Sequence, residues 1–306
     1  MSKMLKGMVL TVVAGISWGL SGASGQYLLA NGFSALPLTN IRLLVAGFVL
    51  LGAVYLTDKN KVLRLIRDKK SMVTVVLFAL FGLVLNQFSY LLTIHETNAG
   101  TATVLQYLCP ILILLYSCFK TRTAPTLMEL LSIFFAFFGT VLIATHGDLT
   151  QLSITTSGLF LGIFSAFTYS LYILIPIQII RDWGTMLVIG LGMAISGIAL
   201  LPFSGLGQLQ LKVTVELGLA LVGIILIGTI LAYTLFLKGS GMIGPVKSSL
   251  LASIEPIAAV FFSFLIMGEQ FFAIDFLGMG MILLGVSLIS VRDLLNERKN
   301  HIHDRD

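Results

Sequence analysis

Charge is what this chain of 306 residues has least of, since Asp, Glu, Lys and Arg together make up only 11%, against about 25% in a soluble domain. So little charge cannot cover a water-facing surface, which excludes an ordinary soluble globular protein. Cysteine is nearly absent. Cys109 and Cys118 fall nine residues apart in one predicted helix, on opposite faces and roughly 13 Å from each other, so no disulfide joins them. Catalytic signatures are missing too. No HExxH, GxSxG, phosphate loop or paired aspartates occur, and an enzyme is not expected. Neither a cofactor nor a metal is expected, because the four histidines do not cluster, and His301 and His303 with Asp304 and Asp306 read as a solvated tail. With no nucleotide-binding domain in the sequence, ATP is not expected to be the direct energy source.

What is abundant is apolar. Hydrophobic residues make up 57% of the chain, its mean hydropathy is +1.00, and the apolar residues come in runs of about 20, the length that crosses a hydrocarbon core. These runs predict helices near 7–30, 36–56, 71–94, 99–119, 127–145, 157–177, 185–203, 215–237, 246–267 and 273–291. The first, preceded by Lys3 and Lys6, is too long for a signal peptide and is expected to be retained. Ten spans leave no room for a soluble catalytic domain. The net charge of +5 does not indicate nucleic acid, because the bases sit in the connections and not on one face. With the N-terminus inside, Lys and Arg collect on the inner side, while HETN at 95–98 and the stretch from His146 to Thr156 carry neither. Both termini are therefore expected in the cytoplasm. The expectation is an all-α, multi-pass protein of the cell membrane.

Residues 7–22 laid over 158–173 match Gly7 to Gly158, Leu10 to Leu161, Trp18 to Tyr169 and Leu20 to Leu171. A second alignment matches Pro110 to Pro256, Glu129 to Asp275 and Gly139 to Gly285. The chain is thus read as a first repeat of five helices (1–150), a second (151–291) and a cytoplasmic tail (292–306). Five is odd, so the second repeat enters the membrane in the opposite sense, an inverted-repeat architecture found in secondary transporters.

The stretch from Ser248 to Ile289, SSLLASIEPIAAVFFSFLIMGEQFFAIDFLGMGMILLGVSLI, resembles the signature of the EamA family in the drug/metabolite transporter superfamily. Small residues lead to Glu255-Pro256, then Gly268-Glu269, then Gly278 and Gly285 seven residues apart. TATVLQYLCPILILLYS in the first half is a weaker copy, with Cys109 in place of Glu255 and no Gly-Glu after it. GISWGLSGASGQYL is similar to the family's opening helix. The resemblance spans essentially the whole chain and implies a ten-helix transporter with a central solute pathway, whose relatives mostly export amino acids, other metabolites or toxic compounds.

Polar groups in mid-span are expected to face the bundle interior. Trp18, Ser21, Gly22, Gly25 and Gln26 share one helical stripe, and Ser165, Thr168, Tyr169 and Tyr172 form its counterpart. Either the stripes line a solute cavity, or their small residues pack helices closely. Asn86, Gln87 and Tyr90, with Gln87 matched to Tyr233, and Thr103, Gln106, Tyr107 and Pro110 read either as solute-bonding groups or as interhelical hydrogen bonds. Arg42 either binds a solute carboxylate or snorkels outward or pairs internally. Glu255, next to Pro256, is a candidate for proton exchange, although the resemblance favours a structural or gating part for the Glu-Pro pair. Lys247 either touches a solute or an inner gate or snorkels to headgroups.

The expected substrate-binding set is therefore Trp18, Ser21, Gln26, Arg42, Gln87, Tyr90, Gln106, Tyr107, Tyr169, Tyr172 and Tyr233. Glu255, Pro256, Pro110 and Lys247 form the coupling or gating set. The expected partners are a small-molecule substrate and the lipid bilayer, with the proton as candidate coupling ion. The expected function is export of a small metabolite such as an amino acid by alternating access; uptake of a polar metabolite is the runner-up and a channel the third reading.

Overall fold

A computed structural model describes residues 3–148, 153–208, 214–244, 248 and 251–303, with side chains up to residue 288. Lys247 lies outside the described residues. Among those described there are helices and no strands. Eight helices are long and apolar enough to cross a membrane: α1 (Lys3–Ala30), α2 (Ala35–Thr57), α3 (Lys69–Glu96), α4 (Ala99–Thr121), α5 (Leu127–Thr145), α6 (Thr156–Trp183), α7 (Thr185–Phe203) and α8 (Val215–Ile243). Two further helices, α9 (Glu255–Met267) and α10 (Ala273–His303), have shorter apolar stretches. The last runs continuously through residue 292, where a tail was expected. A short helix, Lys59–Arg67, lies between α2 and α3 with Val62 and Leu65 buried.

Hydrocarbon offers no hydrogen-bond partners, so each helix must satisfy its own backbone and polar side chains. Side chains cap the starts: Asn98 Oδ1 accepts from the Thr101 amide at 2.8 Å, and Thr155 Oγ1 from Gly158 at 2.9 Å. In mid-span, Thr11, Thr39, Thr93 and Ser196 donate to the carbonyl one turn earlier and bury their hydroxyls without an orphan.

Two pairs of helices repeat their contacts. A shift of 150 residues carries Leu44 to Ala194 and Gly47 to Gly197. A Cβ on Gly47 would meet the Ala194 nitrogen at 2.3 Å, and one on Gly197 would meet the Leu44 Cα at 2.6 Å. A shift of 146 carries Ser132 to Gly278 and Gly139 to Gly285. There a Cβ on Gly139 would meet the Gly278 oxygen at 2.6 Å, and one on Gly285 the Ser132 oxygen at 2.7 Å. In each pair one partner's number rises as the other's falls. Helices α2 and α7 therefore cross antiparallel, and so do α5 and α10. Each crossing is a backbone-to-backbone approach that glycine permits and any side chain would push apart.

Gly139→Leu is expected to destabilise the protein by on the order of 2–3 kcal/mol, the scale of overpacking a tight contact. Gly280, with nothing within 4 Å of a Cβ, supplies the control. Thermal unfolding in detergent should separate Gly139→Leu from Gly280→Ala; equal melting temperatures would contradict the close crossing.

Deviations from regular helix also repeat. The π-helical stretches Phe78–Val84 in α3 and Gly223–Leu231 in α8 occupy matching positions about 146 residues apart. In α4 the helix breaks at Tyr107–Leu108, before Pro110. The helical turn before α9 breaks at Ser253–Ile254, before Pro256. Both breaks use a tightened bond to the carbonyl three residues back, Leu108 to Leu105 at 3.1 Å and Ile254 to Leu251 at 3.4 Å. Proline removes an amide and disfavours the helical turn before it, which explains why both breaks fall there.

Candidate functional site

The breaks, the aromatic stripes and Phe78 of the first π-helical stretch converge on one cavity of about 820 Å³. Its walls include Trp18 and Ser21 of α1, Arg42 of α2, Asn86, Gln87 and Tyr90 of α3, and Gln106, Tyr107 and Pro110 of α4. Tyr169 and Tyr172 of α6, Tyr233 and Phe236 of α8, and Glu255 of α9 complete them. Trp18 meets Tyr233 edge to face at 5.4 Å and Phe236 at 5.2 Å. On the facing wall the Tyr169 and Tyr172 rings stack at 5.6 Å. These walls are mostly apolar, with several aromatic rings and a few convergent polar groups, the usual make-up of a small-molecule site.

Arg42 carries the cavity's positive charge. Its Nε donates to Thr229 Oγ1 at 2.8 Å and its Nη1 to Gln87 Oε1 at 2.7 Å. Thr229 donates in turn to the Ile224 carbonyl, five residues back, at 2.8 Å, so the π-helical stretch of α8 aims the hydroxyl that holds the guanidinium. These two bonds use two of the five guanidinium N–H groups. Arg42 is thus bonded internally, one of its expected behaviours, and also lines the cavity. Two carboxylates face it, Glu255 in the interior and Glu129 at the mouth, where it caps the start of α5. Among the described residues the ion pairs are His95–Glu96 and His146–Asp275, so neither Arg42 nor Glu255 has an oppositely charged side chain within 4 Å.

Tyr107 joins the two broken helices. Its hydroxyl lies 3.2 Å from Glu255 Oε2 and 3.2 Å from the Ala252 oxygen. Ala252 is four residues before Pro256, so its carbonyl is the one that proline leaves without an amide partner. Other polar groups are tied together: Gln106 Nε2 donates to Asn86 Oδ1 at 3.0 Å and to Ser165 Oγ at 2.8 Å. The Tyr90 hydroxyl bonds Thr103 Oγ1 at 2.7 Å. Tyr90 and Gln106 thus both bond to neighbouring helices and line the cavity.

The cavity has a direction. On α4 it is lined from Gln106 to Ser117, before Lys120; on α6 from Tyr169 to Ile180, before Arg181; on α8 by Tyr233 to Leu237, before Lys238. Helices α5 and α7 contribute Glu129 and Thr185 from their first turns. All of this lies toward the end of the bundle where Lys and Arg gather. At the opposite end the interior is closed. Leu28, Phe33, Leu38, Leu91, Ile94 and Ile224 belong to one buried apolar cluster there.

Gln26, expected to bind solute, sits in that closed half. Its Nε2 donates to Glu269 Oε1 at 2.6 Å, while its Oε1 accepts from the Ala99 amide at 2.9 Å and Ser263 Oγ at 2.7 Å. One amide thereby joins α1, α4, α9 and the turn after α9. Pro256 is buried but does not line the cavity. Gln26→Ala should loosen this seal and raise labelling of a cysteine introduced at Thr103 by a reagent added from the Gln26 side at least ~10-fold, the scale of losing bonds worth about 1.4 kcal/mol together. Unchanged labelling would show that the apolar cluster alone closes this end.

The residues missed from the sequence include Thr229, Phe236 and Glu129. Phe236 stands one turn from Tyr233, a spacing that should have found it. Thr229 lies in a π-helical stretch, where regular helical spacing misreads the face. In the sequence Glu129 shows only as the repeat match of Asp275; it caps the start of α5, accepting from the Thr126 amide at 2.5 Å.

The EamA-like transporter family profile matches residues 5–145 and 156–291. The chain belongs to the EamA-like transporter family. It is 37% identical over 287 residues to an uncharacterised inner membrane transporter of Salmonella typhimurium, YicL, covering 94% of this chain and 95% of that protein. A crystal structure of a protein of 18% sequence identity has the same fold, with a TM-score of 0.60 over 94% of this chain and 96% of that one. This chain is therefore a multi-pass membrane transporter, and the cavity between its halves is its candidate solute site.

Proposed function

We propose that this transporter carries a small zwitterionic metabolite, such as an amino acid, out of the cell across the inner membrane by alternating access. The observation that carries the reading is the pair of opposite charges that share one cavity without touching each other, Arg42 and Glu255, among apolar and aromatic walls. A solute with its own carboxylate and ammonium answers both. A solute of one sign leaves one buried charge unanswered, which is costly in a medium of low dielectric.

In this reading the chain makes ten spans with both termini in the cytoplasm, and its two five-helix repeats, 1–150 and 151–291, are inverted copies about an axis in the membrane plane. Antiparallel crossing of the matched pairs α2/α7 and α5/α10 supports the inversion, and the gathering of Lys and Arg supports the orientation. The conformation is then open to the cytoplasm and closed outside. A cytoplasmic solute enters, touches Trp18, Arg42, Tyr169, Tyr172 and Glu255, and leaves after the halves exchange shapes. The matching breaks before Pro110 and Pro256 are the hinges of that exchange. The proton is the proposed coupling ion, taken up and released at Glu255.

The test is efflux from proteoliposomes loaded with a labelled amino-acid and metabolite panel, with and without a pH gradient, for wild type and Trp18→Ala. Saturable, solute-specific efflux is expected, reduced about 10-fold in Trp18→Ala, the order of one lost aromatic contact. An unsaturable ion conductance with no solute flux would replace the carrier by a channel. Saturable flux driven only inward would make it an uptake system.

A further inference from the structure

A second cavity, of about 780 Å³, lies beside the mouth of the first at the basic end. It is bounded by the helix Lys59–Arg67, the start of α3, the end of α4 and the last turns of α6. Four cations line it, Lys61, Arg64, Lys70 and Lys120, against two carboxylates, Asp68 and Asp182. Among the described residues none of the four cations takes part in an ion pair within 4 Å. Asp68 is already engaged: its carboxylate accepts from Ser71 Oγ at 2.5 Å, and its amide donates to the Arg64 and Leu65 carbonyls. Trp183 Nε1 donates to Ser71 Oγ at 3.0 Å and closes the cavity between α3 and α6. Four cations against two carboxylates leave the concave site net positive, so it attracts an anion that can accept several hydrogen bonds, and phosphate has that chemistry.

The surroundings say where the phosphate comes from. Leu77, Phe119 and Ile177, close by on α3, α4 and α6, are exposed on a surface that a membrane protein turns to lipid. The helix Lys59–Arg67 buries Val62 and Leu65 and leaves Lys59, Arg64 and Arg67 exposed, the division of a helix lying in the membrane interface. We propose that this cavity binds the phosphodiester headgroup of an anionic phospholipid, with the acyl chains along those exposed apolar side chains. Basic pockets between membrane helices at the level of the headgroups suit this ligand. Because the last turns of α6 border both cavities, with Pro176 and Ile180 on one and Ile177 and Trp183 on the other, the bound headgroup steadies the mouth of the solute site.

The experiment measures thermal unfolding of the purified full-length protein in detergent with added phosphatidylglycerol, phosphatidylcholine or glycerol 3-phosphate. Wild type, Arg64→Gln/Lys120→Gln, Lys61→Gln/Lys70→Gln and, outside the cavity, Lys6→Gln are compared. Phosphatidylglycerol is expected to raise the melting temperature of wild type and Lys6→Gln by about 5 °C or more and that of each double variant by less than half as much. Retention of phosphatidylglycerol in native mass spectra should fall in parallel. Equal protection by glycerol 3-phosphate would overturn the lipid in favour of a soluble phosphorylated compound. Equal protection by phosphatidylcholine, or a full response in both double variants, would overturn the site. Two independent pairs keep the test decisive if one does not fold.

Discussion

Arg42→Ala is expected to lower saturable solute flux at least ~100-fold while the protein still folds. The two parts of this expectation rest on different magnitudes. Internally, Arg42 bonds Thr229 and Gln87, and interhelical hydrogen bonds within a membrane average about 0.6 kcal/mol, so their loss costs stability about 1 kcal/mol. Toward the solute, a guanidinium answering a carboxylate inside a mostly apolar cavity makes charge-assisted bonds of about 1.5–3 kcal/mol each. Two such bonds are worth about 3 kcal/mol or more, and 1.4 kcal/mol is a factor of ten. Flux should therefore fall far more than melting temperature. Arg42→Lys keeps the charge but loses the planar fork, and should recover only part of the flux. If flux in both variants merely follows the amount of folded protein, Arg42 is a structural cross-brace and the carboxylate reading fails.

That Arg42 mattered was legible in the sequence, because a charge inside an apolar run demands compensation. What it would bond was not. Its partner Thr229 sits in a π-helical stretch, where five-residue hydrogen bonding turns the face away from the regular 100° step. The same limit explains the aromatic walls. Trp18 and Tyr169, matched by the internal repeat, both line the cavity, since a stripe on a regular helix reports direction around the axis correctly. It does not report depth. Gln26 shares the stripe of Trp18 but stands eight residues on, about 12 Å along the helix, which is enough to move it from the cavity to the closed end. The helix Lys59–Arg67 escaped notice for a different reason: nine residues rich in Lys and Arg carry no apolar run, and only burial of Val62 and Leu65 fixes it against the bundle.

The repeat itself was legible through Pro110 and Pro256, yet the alignment understated its content. It matched residue types, whereas the structure also repeats defects: two π-helical stretches and two breaks before proline. Regular helix is favoured by many sequences, but a defect costs free energy and persists only where its surroundings hold it. Matched defects around one cavity are therefore stronger support for a moving part than matched apolar residues, which any two membrane helices share. The substitutions differ where the halves differ. Cys109 stands where the second half has Glu255, so only one of the two broken helices carries a carboxylate.

Glu255→Gln is expected to abolish the response of solute efflux to a pH gradient, while exchange of solute without a gradient continues. The Tyr107 hydroxyl has one proton and two acceptors at equal distance, Glu255 Oε2 and the Ala252 oxygen. With Glu255 ionised, the proton serves the carboxylate and the Ala252 carbonyl is left to the cavity. With Glu255 protonated, its own O–H donates to the Tyr107 oxygen and the Tyr107 proton turns to Ala252, satisfying the carbonyl that Pro256 left without an amide. The two protonation states thus hold α4 to the chain before α9 through different bonds, and a proton arriving at Glu255 changes what joins the broken helices. Glutamine retains an amide that can donate to Tyr107, so it fixes the protonated pattern at every pH. In wild type, an inward proton gradient should accelerate outward solute flux about 10-fold; in Glu255→Gln the ratio of fluxes with and without the gradient should be close to one. Tyr107→Phe should lie between, because the carboxyl still titrates but loses the hydroxyl that relays its state to Ala252. A full gradient response in Glu255→Gln would exclude Glu255 as the group that takes up the coupled proton.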